Sequence, residues 1–450
     1  MDLRNKNVTV VGLGTSGLAS ALLLYDEEAI VSVTDSSKGE AVIENASLLQ
    51  EKYIDTEIGG HTESFLHGTE LLVVSPGVTK DSLPVSYAVK NKIPVISELE
   101  LGFYFCKGPI TAVTGTNGKS TVVSLVGHIL KAANKPVITC GNIGNAFTGE
   151  IKKITKDTCV VLEVSSFQLE WIKDFRPMIS VILNMAEDHM DRYDSFENYA
   201  AAKSNIFKNQ KDADVVILNY DNLKSMGNQR PDCKTLYFSM REKVEGCYKD
   251  KEAVSLLIRN KAKKLFTLDG FNLKGSHNEE NILAATLISL IMGVKPDVIE
   301  KAVRSFKSLS HRYETVREVG GVEFIDDSKA TNIDSTYRAI ESLNKKTVLI
   351  AGGKDKALPY EKIIPVLKKN VKAVVLIGEA KEKIKKAIAG TVPVVECNSM
   401  EEAVREGYNL AAKGESVLLS PMCSSFDMFK SYKDRGEAFR KTVERLSNKN

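Results

Sequence analysis

Ile110-Thr-Ala-Val-Thr-Gly-Thr-Asn-Gly-Lys-Ser-Thr121 decides how this chain is read. A short apolar strand runs into a glycine turn, and Val122-Val-Ser-Leu-Val-Gly-His-Ile-Leu130 follows at once as a helix. A helix N-terminus presents backbone N–H groups and the positive end of its dipole, so it attracts anions. Gly115, Thr116, Asn117, Gly118, Lys119, Ser120 and Thr121 are therefore expected to cradle phosphates, with Lys119 on the outer ones and the Ser120 hydroxyl on Mg²⁺. Val113 stands where the Walker pattern has its first glycine, and Gly-Lys-Ser alone is a weak signal. The strand before it, the helix after it and the glycines at 115 and 118 supply the context; the alternative is an ordinary strand–helix turn.

Outward from this stretch, the same grammar repeats. Asn7-Val-Thr-Val-Val11 leads into Gly12-Leu-Gly14-Thr-Ser-Gly17 and a helix, and the next strand ends at Asp35. This fits a dinucleotide fingerprint, and equally any nucleotide diphosphate or phosphosugar, because the helix terminus senses charge and not nicotinamide. A nicotinamide-dependent oxidoreductase rests on these glycines alone and leaves the loop at 115–121 unexplained. Further strands end at Ser75-Pro-Gly77, Gly141-Asn142, Glu163, Asn184 and Asn219. Alternating strands and helices predict parallel sheets with ligands beyond the carboxyl ends of the strands.

The predicted architecture is α/β in three domains. Residues 1–97 form a Rossmann-like parallel sheet, and residues 98–308 a P-loop-type parallel sheet with a small antiparallel ribbon within 230–275. Residues 309–450 form a Rossmann-like C-terminal domain. At 450 residues, 43% hydrophobic and 26% charged, the chain has the composition of a globular protein. A net charge of +3 gives no reason to expect nucleic acid or an anionic membrane surface. Seven cysteines without a Cys-x-x-Cys pair predict reduced thiols, and neither structural zinc nor a catalytic thiol. The N-terminal residues run straight into a strand and no long apolar segment follows, so a cytoplasmic protein with no membrane insertion is expected.

Several polar residues sit at predicted strand ends. Glu163 and His189 are candidate Mg²⁺ ligands; otherwise Glu163 is a capping carboxylate, and His189 a loop histidine bonded to Asp188 or Asp191. Lys203, one helical turn after Tyr199, is by default a solvated helix lysine. Asp326-Asp-Ser-Lys-Ala-Thr-Asn332 follows a strand and reads as a charged loop facing a nucleotide. Arg312 is either part of a hinge or a phosphate or base contact.

Taken together, Thr114-Gly-Thr-Asn-Gly-Lys-Ser-Thr121, Glu163-Val-Ser-Ser-Phe-Gln-Leu-Glu170, Asp188-His-Met-Asp-Arg-Tyr193, Lys203, Gly275-Ser-His-Asn278, His311-Arg312 and Asp327-Ser-Lys-Ala-Thr-Asn332 occur in an order that resembles the Mur ligases. These are ATP-dependent amide-forming enzymes of peptidoglycan synthesis. Ser75-Pro-Gly77 and Leu418-Leu-Ser-Pro-Met-Cys-Ser-Ser425 point to the branch that adds D-glutamate to UDP-N-acetylmuramoyl-L-alanine through an acyl phosphate. The alternative is another Mur ligase or a folylpolyglutamate synthase-like amide ligase. The resemblance implies ATP, two Mg²⁺ sites and a monomer. It implies that Lys119, Glu163, His189 and Lys203 form the catalytic group and that Ser120, Glu163, His189 and a carbamylated Lys203 hold metal. Asn278, Asn281, Arg312, Asp327 and Lys329 are implied on ATP. Thr15, Ser16, Asp35, Ser36, Gly77, Asn142 and His189 are implied on the UDP substrate, and Thr331, Lys356, Ser425, Phe426 and Tyr432 around D-glutamate. Lys354-Asp355-Lys356 departs from the Asp-Gly-Lys of many relatives, so the acidic contact before Lys356 is displaced or missing. Phe426 and Tyr432 also replace the Leu and Phe of some relatives.

Overall fold

The computed structural model describes residues 1–227, 229, 231–271, 273 and 275–447. Three sheets carry the chain. The first is parallel, in the order Asp55–Ile58, Ile30–Asp35, Asn7–Val11, Leu71–Val74, Val95–Ser97. The strand order reverses between Asn7–Val11 and Leu71–Val74, which opens a crevice beyond their carboxyl ends. There the Gly12–Gly17 turn meets the Ser75–Gly77 turn, with the Ser75 hydroxyl donating to the Gly12 carbonyl at 3.3 Å.

The second sheet has nine strands, in the order Lys261–Thr267, Ala253–Ile258, Gly246–Asp250, Lys234–Ser239, Val215–Asn219, Ile179–Ile182, Ile110–Thr114, Cys159–Glu163, Val137–Gly141. The antiparallel ribbon expected within 230–275 is present and continues this sheet. Gly246–Asp250 pairs parallel with Lys234–Ser239, and the two antiparallel strands extend the same sheet from there. All five residues of Ile110–Thr114 are buried, as a central parallel strand covered on both faces requires. The helix Lys119–Ala132 buries one continuous stripe that includes Val122, Val126 and Ile129; each such aliphatic side chain contributes about 2 kcal/mol.

Two buried carboxylates join the first sheet's layer to the second. Glu100, on helix Glu98–Phe105, accepts the backbone N–H groups of Lys173, Asp174 and Phe175 at 2.7–2.9 Å. Glu98 accepts both the N–H and the hydroxyl of Thr148, and burial pushes its carboxyl above the usual range.

The third sheet runs Glu314–Val319, Val322–Asp326, Ser416–Leu419, Thr347–Gly352, Val371–Ile377, Val394–Glu396, parallel except for its first strand. Period-two alternation divides it between two cores. Leu349, Val374 and Leu418 pack against helices Ile333–Glu341 and Lys381–Ala387, while Val348, Val375 and Val417 pack against Met400–Leu410 and Tyr432–Glu444.

Contacts divide the chain into two compact units. Met1–Met185, Tyr199–Thr267 and Ile282–Val303 form one; Ala186–Asn198, Leu268–Asn281 and the chain from Arg304 form the other. Among the described residues no helix is long and apolar enough to cross a membrane. All seven cysteines are unbridged thiols.

Candidate active site

In the first unit the site begins at the turn after Ile110–Thr114. Gly115 and Gly118 have φ of +146° and +87°, which side chains rarely tolerate, and Gly118 caps the helix Lys119–Ala132. The loop is held open from the neighbouring strand end: Asn184 takes the Thr116 N–H on its carbonyl and the Asn117 N–H on its side chain, and donates to the Asn117 carbonyl. Lys119 Nζ curls back onto the carbonyls of Gly115 and Thr116 at 2.8 and 2.9 Å. Ser120 and Thr121 are buried in the first helical turn. This is a long helix with its amide terminus framed by glycines and a lysine folded over it, a cradle that fits the phosphates of ATP.

Glu163 is 3% exposed and lies beside Val113 in the ladder. Asn142 donates its side-chain N–H to Glu163 Oε1 at 2.9 Å and its backbone N–H to the Glu163 carbonyl. The following Ser165 and Gln168 form a reciprocal cap of the short helix Ser166–Leu169. Lys203 is 2% exposed, not a solvated helix lysine. Its Nζ donates to the Gly115 carbonyl at 3.0 Å and sits 4.6 Å over the Tyr199 ring, whose hydroxyl meets Thr116 Oγ1 at 3.1 Å. Ser120, Glu163 and Lys203 therefore surround one loop, where a serine hydroxyl and a carboxylate suit a hard cation.

In the crevice of the first sheet, Thr15 and Gly77 are exposed and Ser16 half-buried. Asp35 lies at its strand end as expected, but both carboxylate oxygens brace loops: Oδ2 takes the Leu13 N–H at 2.6 Å and Oδ1 the Ser37 N–H at 2.7 Å. Ser36 is exposed beside it.

The second unit gathers the remaining residues. Asn281 donates to the Asn278 side-chain oxygen at 3.3 Å. Next to Asn278, burial and the nearby Arg338 and Arg312 push His277 down to about 4, so it is neutral at physiological pH. His311 Nδ1 meets Asp326 at 2.7 Å, and the His311 carbonyl accepts the Lys329 N–H, which ties Arg312 to the 326–332 loop. Lys329 Nζ lies 4.0 Å over the Tyr432 ring. Lys356 is buried and pairs at 3.0 Å with Asp188, an acid from outside the Lys354-Asp355-Lys356 stretch. Asp355 itself turns to Lys383, Tyr360 and the Ala357 N–H. Thr331 is half-buried, Ser425 is buried, and Phe426 is 69% exposed. His189, at φ +56°, belongs to this unit and not to that of Glu163 and Lys203.

Asp327 accepts the Ser420 hydroxyl at 2.9 Å and the Tyr313 N–H at 3.2 Å. Burial, with Asp326 nearby, pushes its carboxyl up to about 7. The unfolded chain releases this proton near 4 and the native chain near 7. Between those values the native state binds more protons, so stability falls as pH rises and levels off above 7. Asp327→Asn is expected to match the parent near pH 4 and to exceed it by about 4 kcal/mol at pH 8, read from urea melts at the two values. Equal differences at both pH values would refute the assignment.

Three residues escaped the sequence reading. Asn184 was visible only as a strand end. Asp188 was read only as a possible partner of His189, not of Lys356. Arg435, 1% exposed, gave no signal on a helix that reads as charged.

Family models match three stretches of this chain: the Mur ligase MurD-like N-terminal domain over residues 6–97, the Mur ligase middle domain over 113–289, and the Mur ligase glutamate ligase domain over 311–423. The chain belongs to the Mur ligase family, ATP-dependent amide ligases of peptidoglycan synthesis that use Mg²⁺. A UDP-N-acetylmuramoylalanine–D-glutamate ligase of Koribacter versatilis is 42% identical over 449 residues, covering 99% of each chain. One of Caldanaerobacter subterraneus is 40% identical, covering 98% of this chain and 99% of its own. Among solved structures, a pseudomurein peptide ligase type C from Methanothermus fervidus superposes with a TM-score of 0.62 at 19% identity, covering 98% of this chain and 100% of that one. The UDP-N-acetylmuramate–alanine ligase of Thermotoga maritima gives 0.61 at 18%, covering 98% of each. These two show the fold.

Proposed function

We propose that this chain joins D-glutamate to UDP-N-acetylmuramoyl-L-alanine at the expense of ATP, acting in the cytoplasm as a monomer. The observation that carries the reading is likeness to ligases of that name along the whole chain at about 40% identity. The buried Glu163–Lys203 surroundings of the phosphate loop support it. The alanyl carboxylate attacks the γ-phosphorus of ATP, giving an acyl phosphate and ADP. The amine of D-glutamate attacks the acyl carbon, the tetrahedral adduct expels inorganic phosphate with the C–O electron pair, and the ammonium proton is lost. No protein nucleophile is required, and none of the residues around the loop is placed as one.

Residues 1–97, 98–308 and 309–450 are proposed to bind the UDP moiety, ATP and D-glutamate respectively. Thr15, Ser16, Asp35, Ser36, Gly77 and Asn142 take the UDP substrate. Gly115–Thr121 hold the phosphates, Lys119 balances charge on the group in transfer, and Asn278, Asn281, Arg312, Asp327 and Lys329 complete the nucleotide site. Ser120, Glu163, His189 and a carbamylated Lys203 would hold two Mg²⁺ ions, which supply charge neutralisation between approaching anions. Thr331, Lys356, Ser425, Phe426 and Tyr432 take D-glutamate.

Phosphate release is expected only with ATP, UDP-N-acetylmuramoyl-L-alanine and D-glutamate together. A panel of other amino acids should give less than a tenth of that rate. Release with the UDP substrate alone, or preference for a different amino acid, would overturn the reading. NADH titration should show no binding.

A further inference from the structure

Glu98 is a buried carboxylate that no step of the proposed reaction uses. It opens the helix Glu98–Phe105, is 1% exposed, and takes the Thr148 N–H and hydroxyl on Oε1 at 2.8 and 2.9 Å. Its Oε2 is buried and, among the described residues, accepts no hydrogen bond. The helix does not depend on it: the Ser97 hydroxyl caps the first turn by taking the Glu100 N–H at 3.3 Å, and Glu100 fastens the helix to the backbone of residues 173–175. A buried carboxylate oxygen without a donor costs stability, so its presence calls for a reason.

Two routes lead from Glu98 to Glu163. The first begins at Thr148, on the short helix Phe147–Glu150. Glu150, 6% exposed, takes Asn145 Nδ2 at 2.6 Å, and the Asn145 carbonyl takes the Gly141 N–H at 2.9 Å. Gly141, at φ +104°, lies so close to Glu163 that a Cβ there would stand 2.4 Å from the Glu163 carbonyl oxygen. Asn142, the next residue, holds that carbonyl and Glu163 Oε1 at 2.9 Å each. The second route passes through Gln168, 1% exposed, whose side-chain amide faces Glu98. Gln168 Oε1 is committed to the Ser165 N–H and hydroxyl at 3.0 Å each, which leaves its NH₂ for Glu98. Ser165 stands two residues after Glu163.

We propose that Glu98 is a positioning residue: by holding Thr148 and orienting Gln168 it fixes, from both sides, where the Asn142–Glu163 pair stands. This rests on the reading of Asn142 as a contact to the UDP substrate and of Glu163 as a Mg²⁺ ligand. Only a carboxylate serves both routes, because both of its oxygens accept. In Glu98→Gln the amide oxygen stays with the two Thr148 donors, and the new NH₂ opposes the NH₂ of Gln168. Gln168 then turns away and releases Ser165.

The test uses the full chain and reads two binding equilibria that need no turnover. One is Mn²⁺ in the presence of ADP, by electron paramagnetic resonance; the other is UDP-N-acetylmuramoyl-L-alanine without metal, by calorimetry. In Glu98→Gln, Mn²⁺ should bind at least fivefold more weakly and kcat for phosphate release should fall at least tenfold, while KM for D-glutamate stays within twofold. Thr148→Val keeps the N–H bond to Glu98 and loses the hydroxyl's; it should weaken the UDP substrate at least threefold. Variants that melt at lower temperature yet bind both ligands as the wild type does have lost only structure, and overturn the proposal. Thr148→Val with both affinities unchanged overturns it even if Glu98→Gln fails to fold. Wild-type enzyme that binds no Mn²⁺ with ADP, or releases no phosphate with D-glutamate, overturns the functional reading instead.

Discussion

Lys203→Ala is expected to lower D-glutamate-dependent phosphate release by about 10³-fold, the scale of removing one preorganised group that stabilises developing charge. A lysine at 2% exposure, with its Nζ on the Gly115 carbonyl and over the Tyr199 ring, is held where a carbamate on the same atom would stand beside the phosphate loop. The alanine variant cannot carry a carbamate and leaves a hole of side-chain size. Acetate or formate can enter such a hole and restore a carboxylate, so part of the lost rate should return with added salt of either acid. The folding cost is separate: the Gly115 carbonyl loses a donor and the stem is no longer packed, about 2–3 kcal/mol. A thermal melt of the variant with and without acetate separates the two effects. Full activity of the variant without rescue would refute the role of Lys203.

Arg435→Met is expected to destabilise the second unit by about 4 kcal/mol, as stranding buried acceptors of a charged donor does. The guanidinium ties two site loops to one helix: Nε and one terminal nitrogen hold the Ser328 hydroxyl and carbonyl at 3.0 and 2.7 Å, and the other holds the Cys423 carbonyl at 3.0 Å. Burial pushes its pKa down to about 10, so it remains charged at neutral pH. Methionine fills much of the volume but leaves two buried carbonyls without donors, each costly. Arg435→Lys should recover less than half of the loss, because an ammonium lacks the planar fork that reaches both loops. Denaturant melts measure both; a change below about 1 kcal/mol in Arg435→Met would refute the bracing role.

Legibility followed the range of each interaction. Strand–turn–helix periodicity reads over ten to fifteen residues, and the parallel sheets follow from it. The phosphate loop was legible for the same reason, since Gly115, Gly118 and the helix start are local features. The continuation of the central sheet through Gly246–Asp250 was not, because a short strand shows no sign of which neighbour it will pair with. Lys203 is the sharpest contrast: helix spacing describes a solvated lysine, and only the packing of Tyr199 against Thr116 buries it.

By itself, then, the sequence determined three α/β layers, the phosphate loop and the set of polar residues at strand ends, because these depend on period, glycine and helix polarity. Tertiary structure alone decided what those residues are bonded to. Asn184 braces the phosphate loop from 67 residues away, and Arg435 holds Ser328, 107 positions earlier. Lys356 takes as its acid Asp188, 168 positions earlier, and not the adjoining Asp355. The physical reason is that a buried charge or polar group must find its partner wherever the fold brings one, and no local pattern in the chain records that choice.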